Sequence, residues 1–261
     1  MGLLDGRTAL VTGAGRGIGR AIAAAAAAEG AAVALTGRDV DALQETARTI
    51  VDKGGRALVA PADVTRADQV EAAVAAAADA LGGVDLLVAN SGIGGPSAPL
   101  WELDPADWER TFAVNVTGVF LSCRAVLPGM LARGSGAIVV IGSMTGKRAL
   151  VHRTPYAASK TALIGLVRTL AAEVGPAGVR VNLVSPGGVE GERMDWVIRA
   201  QAEARGVSLE QAREVFTGDS PLGRLVTPGE VADAVVFLAS DRAAAVTGED
   251  LNVSAGTVTY G

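Results

Sequence analysis

The sequence is built on a regular alternation between short runs of aliphatic or β-branched residues and longer segments with helical periodicity. The runs Thr8–Thr12, Ala32–Thr36 and 56–61 are each followed by a helical pattern. Such alternation is typical of βαβ units, whose strands lie parallel in one sheet. Further strands are predicted over 86–89, 137–141, 180–184 and 250–253. The pattern therefore predicts an α/β fold, a doubly wound parallel sheet of about seven strands with helices on both faces.

The segment 187–224 breaks this alternation. It is longer than an ordinary connection and contains two short stretches with helical character, 195–205 and 209–216. Excursions of this length often carry function. We therefore predict a single domain over 1–261, with 187–224 as an extended lid segment over a substrate.

Composition excludes several functional classes. Apolar residues make up 49% of the chain, which excludes intrinsic disorder. The formal charge of −5, from 23 basic and 28 acidic residues, predicts no basic surface for nucleic acid or an anionic membrane. The longest uninterrupted apolar run, 21–28, is far shorter than the roughly 18 residues that a spanning helix needs. A small-molecule partner is therefore expected, and neither nucleic acid nor membrane.

Cys123 is the only cysteine and His152 the only histidine. A single cysteine excludes an intramolecular disulfide and a thiolate metal cluster, and a single histidine argues against a zinc site. The N-terminal residues lack a basic-then-apolar signal region. We expect a cytoplasmic protein without a metal.

A glycine-rich turn follows the first predicted strand directly and opens a helix. Its glycines, Gly13, Gly15, Gly17 and Gly19, differ in spacing from the G-x-G-x-x-G fingerprint. Alone, such a cluster is equally compatible with a plain strand-to-helix turn. After the first strand of a βαβ series it predicts a dinucleotide site, because glycine lets backbone N–H groups approach a pyrophosphate at the positive end of a helix.

Cofactor preference is expected to be set after the second strand. Arg38 lies there, and Arg16 of the glycine turn offers a second cation. Arginine suits the 2′-phosphate of NADP(H), which is therefore favoured over NAD(H). In the alternative, Arg38 is a solvated loop residue and Asp39 holds the ribose of NAD.

Tyr156 and Lys160 are four residues apart in a predicted helix and share one face. An ammonium beside a phenol lowers the phenol pKa towards neutrality, so the pair suits proton transfer. Ser143 follows the strand 137–141, where ligands bind in open α/β sheets, and its hydroxyl is suited to hold a substrate oxygen. Asn115 lies in a predicted helix although asparagine is a poor helix former. Either a water-mediated link to Lys160 or a structural amide contact to a neighbouring strand would explain it.

These residues together resemble the short-chain dehydrogenase/reductase family, and within it 3-oxoacyl-[acyl-carrier-protein] reductase-like members. The resemblance covers nearly the whole chain. The motifs that carry it are the turn from Thr12 to Gly19, Asp63-Val64, Ala89-Asn90-Ser91-Gly92, Asn115, the set Ser143, Tyr156 and Lys160, and Ser185-Pro186-Gly187.

The resemblance implies a Rossmann fold and an NAD(P)-dependent oxidoreductase, a homotetramer or homodimer, that transfers hydride between the nicotinamide and a ketone or secondary alcohol. Tyr156 would move the proton, while Lys160, Ser143 and Asn115 complete the catalytic set. The implied cofactor-binding residues are Gly13, Arg16, Gly17, Ile18, Gly19, Arg38, Asp63, Val64, Asn90, Gly92, Tyr156, Lys160, Pro186, Gly187 and Val189.

Some positions depart from the family pattern. Ser91 stands where alanine is usual, and Gly191 where a threonine often binds the carboxamide. His152 borders the substrate cleft or is a plain surface residue. Arg148, Arg153 and Arg193 suggest an acidic or phosphorylated substrate, unless they are merely solvated.

Two other functions remain open at this point. One is an NAD-dependent dehydrogenase of a sugar alcohol or cyclic diol. The other is a non-catalytic dinucleotide-sensing regulator, against which the complete set of catalytic residues argues.

Overall fold

The computed structural model of the chain describes residues 2–218 and 220–258. Seven strands form one sheet in the order β3-β2-β1-β4-β5-β6-β7, and every neighbouring pair is parallel. The predicted doubly wound sheet is therefore confirmed. The strands are β1 Thr8–Thr12, β2 Ala32–Thr36, β3 Arg56–Val59, β4 Leu86–Ala89, β5 Gly136–Ile141, β6 Val179–Pro186 and β7 Asp250–Val253.

Helices cover both faces of the sheet, because alternate strand residues point to opposite sides. Ala9 and Val11 of β1 belong to one apolar core, and Leu10 between them belongs to the other. The helices are α1 Gly17–Ala28, α2 Val40–Val51, α3 Ala67–Leu81, α4 Pro105–Phe112, α5 Gly118–Arg133, α6 Thr154–Val174, α7 Glu192–Arg205, α8 Leu209–Thr217 and α9 Pro228–Ala239.

The strand order reverses between β1 and β4. From β1 the chain first builds outwards to β2 and β3, and it then returns to place β4 on the other side of β1. At such a switch point the carboxyl ends of the strands border an open crevice, where ligands bind in sheets of this type. Most predicted site residues lie on loops after β1 to β6, and so they meet at this edge of the sheet.

Helix α4 continues into α5 through one π-helical turn, Ala113–Thr117. By length and composition alone the run Pro105–Arg133 could span a membrane, with a mean hydropathy of 1.4 in its most apolar part. Of that part, 44% is buried inside the protein. Charged and polar residues are scattered through this run, so no uninterrupted apolar stretch marks it in the sequence. Cys123 lies on its buried face, where burial raises the pKa of the thiol to about 12.

The segment predicted as an excursion carries α7 and α8, which pack on each other around a small apolar cluster of their own. Its buried members are Ile198, Ala202, Ala212 and Leu225. Helix α7 begins at Glu192, three residues before the predicted start, directly after Gly191 with a φ of 129°. Only glycine adopts that conformation easily, which explains why the threonine of the family pattern is absent here.

A buried ion pair joins the loop after β5 to the last strand. The ammonium of Lys147 lies 2.9 Å from the carboxylate of Asp250, and both side chains are only 5% exposed. The same ammonium lies 2.5 Å from Oδ1 of Asn252.

Candidate active site

The glycine-rich turn leaves the first turn of α1 open to a ligand. Gly13 and Gly17 have φ values of 66° and 54°. A Cβ on Gly19 would lie 2.1 Å from the Gly13 carbonyl oxygen, so only glycine fits there. Arg16, the N-cap, makes no side-chain hydrogen bond to the helix, and the first turn carries no acidic residue. These N–H groups and the helix dipole suit a pyrophosphate, and Ile18 packs against the core behind them.

The segment after β4 lies beside this turn. The Asn90 amide donates to the carbonyl oxygens of Thr12 and Gly13 at 2.9 and 3.3 Å, and so it ties β4 to β1. Gly92 is exposed, and a Cβ on it would lie 3.6 Å from the Lys160 ammonium. Asn90 and Gly92 therefore line the space between the glycine turn and Lys160.

At the far end of the crevice, Arg16 is already paired. Its guanidinium lies 2.5 Å from the carboxylate of Asp39, which also caps α2 by accepting from the Ala42 N–H. Both side chains are at least half exposed, so the pair contributes little to stability and leaves Arg16 able to change partners. Arg38 is exposed beside them.

Asp63 and Val64 lie on the loop after β3. The Asp63 carboxylate accepts hydrogen bonds from the N–H and hydroxyl of Thr65 at 2.9 and 2.8 Å. The backbone bond is the main reason that the pKa of Asp63 lies below its usual range, and the charges of Arg38 and Arg66 lower the pKa further. Val64 is buried, and a Cβ on Gly118 would lie 2.7 Å from its side chain.

Ser143, Tyr156 and Lys160 converge at the end of β5. Ser143 caps a short 3₁₀ turn and accepts from the Thr145 N–H at 3.2 Å. Tyr156 and Lys160 are one turn apart on α6, as predicted. The buried ammonium of Lys160 donates to the Ile141 carbonyl oxygen at 2.7 Å and lies 5.9 Å from the centre of the Tyr156 ring.

The pKa of Tyr156 lies below its ordinary value of 10.0. Burial alone would raise this pKa, but the positive charges of Lys160, Arg193 and Arg153 and a hydrogen bond from Ser143 outweigh burial. The pKa of Lys160 is also lowered, chiefly by burial and against the pull of the tyrosine. The site therefore favours a phenol that gives up its proton more readily than usual.

Asn115 lies inside the π-helical turn and is fully buried. Its side chain pairs with the backbone of Ile93: Oδ1 accepts from the N–H at 2.8 Å, and Nδ2 donates to the carbonyl oxygen at 3.0 Å. Nδ2 also donates to the Ser159 hydroxyl at 3.0 Å. A structural amide contact is thus present, with the loop after β4 as its partner and not a strand, and the water-mediated link to Lys160 stays a prediction.

Two arginines flank the tyrosine. The guanidinium carbons of Arg153 and Arg193 each lie 5.5 Å from the centre of the Tyr156 ring. The sequence indicated charge near the cleft mouth but gave no signal that two of the three arginines would meet at this ring. Arg148, the third, is exposed.

The end of β6 forms the remaining wall. Gly187 donates to the Val253 carbonyl oxygen at 2.9 Å, and a Cβ on it would lie 2.8 Å from the Ser254 Cα. Pro186 is buried in β6, and Val189 pairs with Val226 in an isolated bridge. His152 is exposed on the loop before α6. No cluster of three or more His, Cys, Asp or Glu side chains is found in the described residues.

A family model described as enoyl-(acyl carrier protein) reductase matches residues 13–258. A cis-4-hydroxycyclohexanecarboxylate dehydrogenase from Sinomonas cyclohexanicum is 40% identical over 250 residues, which cover 96% of both chains. The 3-oxoacyl-[acyl-carrier-protein] reductase of Vibrio cholerae is 39% identical over 97% of this chain and 98% of that protein. The chain belongs to the short-chain dehydrogenase/reductase family.

Two solved structures of short-chain dehydrogenase/reductases superpose closely on this chain. One is a point variant of actinorhodin polyketide ketoreductase with NADPH, with a TM-score of 0.93, 39% identity and coverage of 97% of this chain and 98% of the other. The other is a 7α-hydroxysteroid dehydrogenase complexed with NADH and 7-oxo glycochenodeoxycholic acid, with a TM-score of 0.89, 34% identity and coverage of 98% and 96%.

As a short-chain dehydrogenase/reductase, the protein is an oxidoreductase of CH–OH and C=O groups that uses a nicotinamide dinucleotide. The expected family, fold and enzyme class are thereby confirmed. The roles of the individual site residues and the choice between NADP(H) and NAD(H) remain predictions.

Proposed function

We propose that this enzyme interconverts a ketone and a secondary alcohol with NADP(H) as its preferred dinucleotide and Tyr156 as the group that moves the proton. The observation that carries the proposal is the position of the Tyr156 phenol, which lies beside Lys160 and Ser143 and has a lowered pKa. The dinucleotide, when bound, supplies or accepts the hydride.

In this proposal the chain's own residues bind the substrate oxygen, transfer the proton and stabilise the phenolate. The Ser143 hydroxyl holds the substrate oxygen, and Tyr156 donates a proton to that oxygen in reduction or removes one in oxidation. The Lys160 ammonium stabilises the phenolate. Asn115 fixes the loop after β4 through Ile93, and so it positions Gly92 next to Lys160.

The described residues also fit the dinucleotide. The uncapped first turn of α1 would hold the pyrophosphate, together with Gly13, Gly17, Ile18 and Gly19. Asp63, Val64, Asn90 and Gly92 would line the adenosine and ribose side. Pro186, Gly187 and Val189 would flank the nicotinamide, with a backbone group of Val189 in place of the missing threonine at Gly191.

Replacing Tyr156 with phenylalanine tests the proposal. Tyr156→Phe keeps the ring beside the two arginines and removes only the hydroxyl. Turnover should fall by about 10²–10⁴, the usual contribution of a positioned proton donor, while dinucleotide binding persists. Thr161→Val is a matched control, since it removes an exposed hydroxyl of the same helix. Substantial turnover by Tyr156→Phe would remove the tyrosine from this role.

The cofactor preference rests on Arg38, and on Arg16 once it leaves its exposed ion pair with Asp39, the residue that holds the ribose in the alternative. Arg38→Ala should weaken NADPH binding about tenfold or more, because a hydrogen bond to a charged group contributes roughly 1.5–3 kcal/mol. NADH binding should change little. The exposed Arg48 on α2 provides the control, Arg48→Ala. Equal losses for both dinucleotides would contradict the assignment to the 2′-phosphate.

A second candidate function is oxidation of a cyclic or polyhydroxy alcohol with NAD. Its support is the similarity to the cis-4-hydroxycyclohexanecarboxylate dehydrogenase and to a structure that holds NADH. Initial rates with both dinucleotides in both directions separate the two candidates. A regulator without catalysis finds no support among the relatives.

We propose three further properties. Segment 187–224 acts as a lid, supported by the small separate apolar cluster of α7 and α8. The protein is a homotetramer or homodimer, by analogy with its family. The compartment is the cytoplasm, where nicotinamide dinucleotides are available to such a reaction.

A further inference from the structure

Arg153 and Arg193 approach the reacting end of the site from two different elements. Arg153 is the N-cap of α6, and Arg193 lies in the first turn of α7, within the excursion. A Cβ on Gly94 would lie 2.7 Å from a terminal nitrogen of each guanidinium. The two nitrogens are therefore at most twice that distance apart, and Gly94 is the residue that lets them meet.

Nothing in the described residues balances this pair of charges. Arg153 donates to the Gly94 carbonyl oxygen at 2.6 Å, but its Nε is buried and has no hydrogen-bond partner there. No carboxylate of the described residues forms an ion pair with Arg153 or Arg193. This includes Glu192 and Asp195, the acidic residues in the first turn of α7. Arg193 is exposed, so water screens part of the repulsion between the two cations, but the buried Nε of Arg153 still lacks an acceptor, and two close guanidinium groups attract an anion.

We propose that Arg153 and Arg193 form a subsite for an anionic group of the substrate, which is then an oxo or hydroxy acid. This inference rests on the proposed function of Tyr156. Two guanidinium groups offer a forked set of donors that matches the oxygens of a carboxylate, and a sulfonate or phosphate has the same chemistry. Because both cations lie 5.5 Å from the Tyr156 ring, an anion held there sits next to the carbonyl that the tyrosine serves.

The dinucleotide phosphates are the competing anions, and the fold places their predicted cations elsewhere. Arg16 and Arg38 follow β1 and β2, whereas Tyr156 lies beside the end of β5. Strand β5 is three positions from β2 and two positions from β1 in the sheet, which amounts to about 14 and 10 Å at roughly 4.8 Å per strand. The arginine pair therefore faces the substrate end of the crevice.

The test compares ketones that differ only in charge. The pairs are 4-oxocyclohexanecarboxylate with 4-oxocyclohexanecarboxamide, and 4-oxopentanoate with 4-oxopentanamide. The acids should have a kcat/KM at least tenfold above their amides, mainly through KM. Arg153→Gln and Arg193→Gln should each bring this ratio close to one. Because the acid and its amide are compared on the same variant, any change in the proton affinity of Tyr156 affects both values of kcat/KM and cancels in their ratio. As a control, Arg199→Gln on α7 should leave the ratio unchanged.

Calorimetry on the enzyme with bound dinucleotide provides a readout that needs no turnover. Cyclohexanecarboxylate should bind more tightly than cyclohexanecarboxamide, and the difference should vanish in both arginine variants. Equal kcat/KM for acid and amide, with turnover that still depends on Tyr156, overturns the anion subsite and leaves the proposed function standing. If no ketone is turned over, the proposed function fails for these compounds, and equal binding of acid and amide then overturns the subsite as well. Dinucleotide binding weakened tenfold or more in Arg153→Gln or Arg193→Gln also overturns it, since the pair would then serve the cofactor.

Discussion

Tyr156 shows how neighbouring charges set the chemistry of a single residue. Its phenol is partly buried, which by itself disfavours the phenolate, yet three cations and the Ser143 hydroxyl reverse that preference. The strongest of these cations, Lys160, is held in place by the Ile141 carbonyl oxygen. The proton affinity of the tyrosine therefore depends on the end of β5 as much as on α6.

This balance predicts the pH dependence of alcohol oxidation. Oxidation needs the phenolate, so kcat/KM should rise with pH and level off above the lowered pKa of Tyr156. Lys160→Gln removes the largest opposing charge, so the pKa of Tyr156 should rise and the rising limb should move to higher pH. Rates measured across pH at saturating dinucleotide check this shift. Lys53→Gln, at an exposed lysine after α2, should not move the limb, and an unmoved limb in Lys160→Gln would contradict the account.

Asn115 contributes through packing and backbone pairing. Asn115→Ala would leave the half-buried N–H and carbonyl oxygen of Ile93 without their partners, at up to about 1–3 kcal/mol each. The free energy of unfolding should fall by roughly 2–5 kcal/mol in a denaturant titration. Ser122→Ala removes a buried hydroxyl that bonds only within its own helix, and it should cost less. Similar losses in the two variants would refute the special role of the amide.

Single residues were predictable where chemistry and spacing coincide, and unpredictable where two elements converge. The pairing of Tyr156 with Lys160 follows from one helical turn. The meeting of Arg153 with Arg193 depends on how α7 folds back over the sheet, and the sequence of neither segment contains that information. The partner of Asn115 could not be predicted for the same reason.

Among the elements, α7 and α8 differ from the rest in how they are held. Their apolar contacts form a separate small cluster, whereas the strands bury their residues in the two large cores. Elements with few buried contacts open more readily than the core. Glycine conformations mark both ends of α7, with φ values of 129° at Gly191 and 63° at Gly206.

We expect the amides of α7 and α8 to exchange hydrogen much faster than those of β5 and β6. Dinucleotide together with substrate should slow exchange in α7 and α8 if the excursion closes over the site. Hydrogen exchange followed by mass spectrometry resolves the segments, with α9 as an internal reference. Exchange in α7 and α8 that is unchanged by both ligands would contradict the lid.

Most elements were predictable because their apolar periodicity is strong. The exceptions have local physical causes. The π-helical turn adds a residue to the helical repeat without any change of composition, so the helix predicted around Asn115 gave no sign of it. Helix α7 starts early because Gly191 supplies a conformation that periodicity does not encode.

For the molecule as a whole, the pair formed by Lys147 and Asp250 fastens the last strand to the loop that carries Ser143. Asp250→Asn would leave a buried ammonium without its counter-charge, and stability should fall by about 3–5 kcal/mol. Replacing both residues, as Lys147→Met with Asp250→Leu, should recover most of that loss, because two apolar groups leave no buried charge. Chemical denaturation of the three proteins checks this cycle.

An exposed pair serves as the comparison. Asp241→Asn disrupts the contact of Arg7 with Asp241, whose side chains are 38% and 88% exposed, and should change stability by at most about 1 kcal/mol. A double variant at 147 and 250 that is less stable than Asp250→Asn would show that the ion pair itself, and not the avoidance of a lone charge, stabilises the fold.

The buried thiol of Cys123 allows opening of the core to be measured by the rate of thiol labelling. Because the chain has one cysteine and its thiol lies in the core with a pKa near 12, a thiol reagent in water meets no reactive thiolate while the sheet and α5 stay together. The thiol of Cys123 can therefore be modified only after α5 separates from the sheet. The rate of labelling at this one atom therefore reports how often the core opens, without any engineered probe.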